Sequence, residues 1–181
     1  MFDSFSIKKN TDNENLMLQD IKDALKYAFL LLRYRPRSTN EMCQKLRLKG
    51  YDQQVIDKTI EELTAKKELD DLKFAKLLIS DFMANRPLGK KLLRYKLKQK
   101  GISEEIVGAA LEDFDTVYSQ SDNIYNLAKK RIELYHGLPS LEAKHKLYGY
   151  LLRKGFDAES VESCLKKLFN KEIREQNDFC R

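Results

Sequence analysis

KLKQKGISEEIV, residues 96–107, is the stretch that decides the fold of this chain. Near-copies lie on either side of it: KLRLKGYDQQVI at 45–56 and YLLRKGFDAESV at 150–161. In each, an apolar-periodic run reaches a Lys-Gly pair, an inward residue follows, and a second periodic run begins. The three prolines keep the same rhythm. Pro36, Pro87 and Pro139 precede Gly50, Gly101 and Gly155, and successive prolines are 51 and 52 residues apart. A period near 50 residues identifies one small unit used three times.

Within a unit the spacing predicts three helices. Ser38 is placed to cap a helix bearing Met42 and Leu46 on one side, which stops at Gly50. Glycine adopts the left-handed C-terminal cap at no steric cost. Tyr51 packs back and Asp52 is placed to cap a helix with Val55, Ile56, Thr59, Ile60 and Leu63 inward. The middle unit repeats this with Leu93 and Leu97, then Ile102, cap Ser103, Ile106, Val107, Ala110 and Leu111. The last has Leu147 and Leu151, then Phe156, cap Asp157, Val161, Cys164, Leu165 and Leu168. A longer helix precedes each proline, over 20–34, 70–84 and 121–135, with Asp70 as the cap of the second. The last unit departs from the others: its proline-to-glycine spacing is two residues longer, and His136-Gly137 enlarges its turn.

No segment alternates with period two, so no sheet is expected. The fold class is all-α: three tandem three-helix repeats, at 20–66, 70–113 and 121–176, forming an elongated, curved module. Ala65–Leu69 and Phe114–Gln120 are the joints. Residues 1–19 are polar and aperiodic and are expected to be disordered, and Asn177–Arg181 are expected to fray. With 42% apolar and 34% charged residues, the 181-residue chain suits a soluble, helix-rich monomer with thin cores. No secretory signal is visible, and the longest apolar run, Tyr27–Leu32, is far too short to span a bilayer. Cys43, Cys164 and Cys180 are odd in number and widely spread. They read as thiols in a reducing cytoplasm rather than as a disulfide framework or a zinc site.

The net charge of +6 is unevenly distributed. From Arg86 to Lys100 there are seven basic residues (Arg86, Lys90, Lys91, Arg94, Lys96, Lys98 and Lys100) and no acid. Residues four apart are neighbours on a helix, so Lys90, Arg94 and Lys98 form a stripe opposite Leu93 and Leu97, with Lys91 beside it. A second basic segment, Arg33–Lys49, holds Arg35, Arg37 and Arg47 among six bases, against Glu41 alone. The third helices are acidic, with Glu104, Glu105, Glu112 and Asp113 in one and Asp52, Asp57, Glu61 and Glu62 in another. Two readings follow. The charged helices are solvated faces that neutralise one another, or the basic ones meet an anionic partner. Seven like charges repel unless an anion is near, which favours a binding role for Arg86, Lys90, Lys91, Arg94 and Lys98, with Arg35, Arg37 and Arg47 as a second set. A helix-turn-helix reader of duplex DNA is disfavoured. Its second helix enters the major groove, and here that helix is the acidic one.

Little in the chain supports catalysis. His136 lies in a turn and His145 on a basic helix, and both read as surface residues. No glycine-rich phosphate loop and no metal-spaced His/Cys set is present, so no cofactor is expected. Glu61-Glu62 and Asp70-Asp71 are adjacent in sequence; on a helix such side chains diverge, so neither forms an acid/base pair.

Three ordered motifs resemble one family. Leu69-Asp70-Asp71-Leu72-Lys73-Phe74-Ala75 is similar to the LDDxxFA signature between the first and second repeats of RecX regulatory proteins. Gly89, Lys91, Leu93, Leu97 and Lys100-Gly101-Ile102 are similar to that family's central segment. Arg35-Pro36-Arg37-Ser38, Glu41, Lys45-Leu46 and Lys49-Gly50-Tyr51 are similar to its first repeat. The likeness runs from about Ala24 to Leu168; the first 20 residues lie outside it, and the third repeat carries only the KGF core. The resemblance implies a non-enzymatic protein that binds the RecA recombinase filament on single-stranded DNA. It further implies that the protein lies in the filament groove and suppresses ATPase, strand-exchange and co-protease activities. The runner-up is a non-specific nucleic-acid-binding helical protein acting on DNA directly. A small hydrolase or transferase is a distant third.

Overall fold

A computed structural model describes the backbone over residues 4–178 and the side chains over 15–119 and 121–169. Among the described residues the secondary structure is helix alone. The chain is all-α, as its periodicity requires. The elements are α1 (Ser4–Tyr34), α2 (Thr39–Lys49), α3 (Gln53–Ala65), α4 (Asp71–Asn85), α5 (Lys90–Gln99), α6 (Glu104–Ala110), α7 (Phe114–Val117) and α8 (Gln120–Ile132). A single 3-10 turn (Glu133–Tyr135), α9 (Ser140–Arg153) and α10 (Ala158–Asp178) complete the order.

The local signals act much as their chemistry dictates. Ser38 caps α2, its Oγ accepting from the Glu41 N–H at 3.1 Å. Asp70 accepts from the Lys73 N–H at 2.9 Å, and Asp157 from the Ser160 N–H at 2.8 Å. Gly50, Gly101 and Gly155 are left-handed, with φ of 98°, 76° and 85°. Ile102 and Phe156 are buried behind their glycines, and Tyr51 is half-buried.

Four expectations need correction. The segment 1–19 is helical from Ser4, because α1 continues N-terminally without a break and Met17 packs against the core beneath it. Residues 1–3 lie outside the described residues. Asp52 holds the extended backbone of a cap, but its side chain accepts no capping bond. The helix after Gly101 ends at Ala110, and the joint beyond it carries the short α7, whose Phe114 is buried and stacks at 5.3 Å on Tyr118. At the far end, α10 extends through Asn177 and Asp178, while 179–181 lie outside the described residues.

The chain packs as two compact units. One takes in the chain to Phe74 together with Lys100–Ser103; the other takes in Ala75–Gln99 and the chain from Glu104. In the first, α1, α2 and α3 close over Ala24, Ala28, Met42, Leu46, Ile56 and Leu63. The Lys100–Gly101 turn joins this unit through α2: the Ser38 hydroxyl donates to the Lys100 carbonyl at 2.6 Å. A Cβ on Gly101 would fall 2.2 Å from the Asn40 amide. In the second unit, α8, α9 and α10 enclose Ile124, Ala128, Leu147, Leu151, Val161 and Leu165. The same device recurs there. The Gly89 N–H donates to the Lys154 carbonyl at 2.9 Å and the Lys91 N–H to the Gly155 carbonyl at 3.2 Å. Ser38 and Gly89 each stand two residues after their proline. In both units, then, the Lys-Gly turn of one repeat closes on the start of the middle helix of the repeat before it.

Candidate interaction surface

α5 turns Leu93 and Leu97 into the core and leaves Lys90, Arg94 and Lys98 at least partly exposed along its outer side, as the four-residue spacing requires. The anions that answer this stripe come from the chain itself. Lys90 Nζ lies 3.0 Å from Asp115 Oδ2. Arg94 and Lys98 converge on Glu104 of α6, Lys98 at 2.5 Å. The hydrogen bond from Lys98, with Arg94 beside it, holds the Glu104 carboxyl below its ordinary range. The premise that the stripe needs an outside anion is therefore corrected in part: acidic neighbours five and sixteen residues past the helix supply partial neutralisation. These pairs are open to solvent, their side chains 37–55% exposed. Arg86, Lys91 and Lys96 make no ion pair with any described residue, and Arg86 and Lys91 are exposed.

The second basic set divides. Arg35 forms a two-pronged bond to Glu41, at 2.9 and 3.2 Å, and Lys100 reaches the same carboxylate at 2.7 Å. Burial alone would raise the Glu41 pKa, but the hydrogen bonds from Arg35 and Lys100 outweigh it and lower it to about 2. Arg37 is half-buried, with a long 3.5 Å approach from Nε to the Leu31 carbonyl. Arg47 is exposed and donates to Gln53 Oε1 at 2.9 Å. Arg35 is thus a clamp on α2, and Arg37 and Arg47 stand apart from it.

Sequence reading missed two features. Lys100 completes the Glu41 clamp from 59 residues away, which no local pattern announces. In the third repeat, Arg131 lies over the rings of Tyr135 and Tyr150, and Lys154 over Tyr150. The four-residue steps from Arg131 to Tyr135 and from Tyr150 to Lys154 were the available signal.

A cavity of about 390 Å³ is lined by Ser121, Asp122, Tyr125, Glu159, Cys164 and Lys167. Burial pushes the Cys164 thiol up, and the Cys43 thiol likewise, which disfavours the nucleophilic thiolate. Among the described residues no His/Cys/Asp/Glu group could hold a metal, and no helix is long and apolar enough to cross a membrane.

Fold and surface together define a class: an all-helical protein of tandem three-helix repeats with paired basic and acidic helices. Comparison with known proteins gives the family. The models for the first, second and third three-helix domains of RecX match residues 24–63, 70–111 and 119–165 in order. A protein of Chlorobium phaeobacteroides named Regulatory protein RecX is 35% identical over 150 residues, covering 83% of this chain and 96% of its own. One of the same name from Clostridium botulinum is 28% identical over 94% of this chain and 82% of its own. The crystal structure of RecX from Lactobacillus salivarius superposes with a TM-score of 0.75 at 25% identity, covering 83% of this chain and 97% of that one. A further crystal structure of regulatory protein RecX gives 0.77 at 22% identity, covering 85% and 75%. This chain belongs to the RecX family of regulatory proteins.

Proposed function

We infer that this chain binds the RecA recombinase filament on single-stranded DNA and restrains its ATPase, strand-exchange and co-protease activities. The reading takes residues 20–66, 70–113 and 121–176 as three repeats of one cytoplasmic, monomeric, non-catalytic protein. What supports it most is the unbroken order of the three domain matches, since a regulator of this family is built from that series. The contact set is Arg86, Lys90, Lys91, Arg94 and Lys98, with Arg35, Arg37 and Arg47 as a second group. The partial neutralisation of the stripe is compatible with this role. Solvent-exposed ion pairs contribute little net stability, so exchanging Asp115 or Glu104 for a filament anion costs little.

The test is the DNA-dependent ATPase of the cognate RecA with this protein titrated in. A dose-dependent fall in turnover is the expected result. Unchanged turnover at saturating protein would refute the reading. Equal binding to bare DNA with and without recombinase, and no effect on turnover, would favour a protein acting on DNA directly.

A further inference from the structure

The cations of α5 are largely answered by carboxylates; a set in the third repeat is answered by rings. The Arg131 guanidinium carbon lies 4.8 Å from the centre of Tyr150 and 5.6 Å from that of Tyr135. Its Nε donates to the Tyr135 hydroxyl at 3.2 Å. Lys154 Nζ lies 5.6 Å from the centre of the same Tyr150 ring. Among the described residues neither cation has an ion-pair partner. Lys91 belongs to the same place in the fold: its N–H bonds to the Gly155 carbonyl, next to Lys154, and its side chain is exposed. Asp157, which feels the Lys91 charge, is engaged in capping α10.

An aromatic face holds a cation through its quadrupole without cancelling its charge. Arg131 is therefore fixed in place, positive, and uses only Nε of its donor fork. A preorganised guanidinium loses less side-chain entropy on meeting an anion, and its planar N–H edge matches phosphate oxygens. We propose that Arg131, Lys154 and Lys91 form a binding site for the phosphodiester backbone of single-stranded nucleic acid. The proposal rests on the reading that the chain works at a DNA-loaded filament. Ring faces already covered by cations leave little aromatic surface for base stacking, so the site grips backbone and is indifferent to sequence.

The experiment is fluorescence anisotropy of a labelled oligothymidylate with the full chain and no recombinase. Three variants accompany the parent: Arg131→Ala/Lys154→Ala/Lys91→Ala, the equally charge-depleted control Lys22→Ala/Lys26→Ala/Lys45→Ala, and Tyr150→Leu. The patch variant should bind at least about tenfold more weakly at low salt. Its slope of log affinity against log salt should be shallower by about two, each single-strand contact contributing roughly 0.7. The control should lose far less. Tyr150→Leu removes no charge and should still weaken binding several-fold, as only a bracing role requires. Parent-like affinity of the patch variant, an equal loss in the control, or no oligonucleotide binding by the parent overturns the site. A parent that suppresses the recombinase but ignores the oligonucleotide sinks this inference alone. A parent that binds the oligonucleotide through the patch but leaves the ATPase untouched sinks the regulatory reading alone.

Discussion

Replacing Gly89 with alanine tests how the second unit is held together. A Cβ at this position would fall 2.1 Å from the Gly155 carbonyl oxygen, 2.2 Å from its carbon and 2.3 Å from the Phe156 nitrogen. All three are backbone atoms, so no rotamer change relieves the contact. Real Cβ atoms essentially never come within 3.0 Å of a neighbour, so α5 and the Gly155 turn must separate by about 0.9 Å. That opening stretches the bonds from Gly89 N–H to Lys154 O and from Lys91 N–H to Gly155 O, now 2.9 and 3.2 Å. A lost hydrogen bond contributes about 0.5–1.5 kcal/mol, and a buried group left unpaired adds about 1–3 kcal/mol. The expected destabilisation is about 2–4 kcal/mol. Urea unfolding of Gly89→Ala against the parent measures it. Gly108→Ala, on α6 with nothing within 4 Å of its added Cβ, serves as a control that should be neutral or gain up to about 1 kcal/mol. A Gly89→Ala midpoint equal to the parent's would show that the turn does not need this closeness, and the account of the unit's packing would fall.

Three further outcomes follow from the same geometry. Ser38→Ala removes the cap on Glu41 N–H and the donor to Lys100 O at a fully buried position, and should cost about 1–3 kcal/mol in urea unfolding; a change under 0.5 kcal/mol contradicts it. Glu41→Gln loses a carboxylate whose folded pKa of about 2 lies below its ordinary 4.5. Its stabilisation is present above pH 4.5 and fades as pH falls toward 2, so a gap of about 1–2 kcal/mol between parent and variant at pH 7, discounted for solvent access, should narrow by pH 3. A gap that is constant with pH would refute the clamp. Lys90→Gln/Arg94→Gln/Lys98→Gln should leave the melting curve nearly unchanged, because these pairs are exposed, yet weaken suppression of recombinase ATPase, most clearly at low salt. Parent-like suppression would reduce the stripe to a solvated face.

What the sequence determined by itself is whatever is written within a few residues. The Lys-Gly pairs mark left-handed helix ends because only glycine takes that backbone freely, and they are found at φ of 76–98°. Ser38, Asp70 and Asp157 cap because a short oxygen-bearing side chain reaches an N–H three residues on. The Leu93/Leu97 face against the Lys90/Arg94/Lys98 face is set by helical geometry alone. The tertiary structure decided everything that depends on two distant segments meeting. Glu41 is gripped by a lysine from another repeat, the α5 stripe finds Asp115 and Glu104, and Arg131 is braced by a tyrosine of α9. Gly89 is the clearest case. In the sequence it is the first residue of a family motif with no stated reason to be glycine, and that reason appears only where the Gly155 backbone closes on it. Helical hydrogen bonds and caps are satisfied along the chain, whereas charge neutralisation and close approach are settled across it.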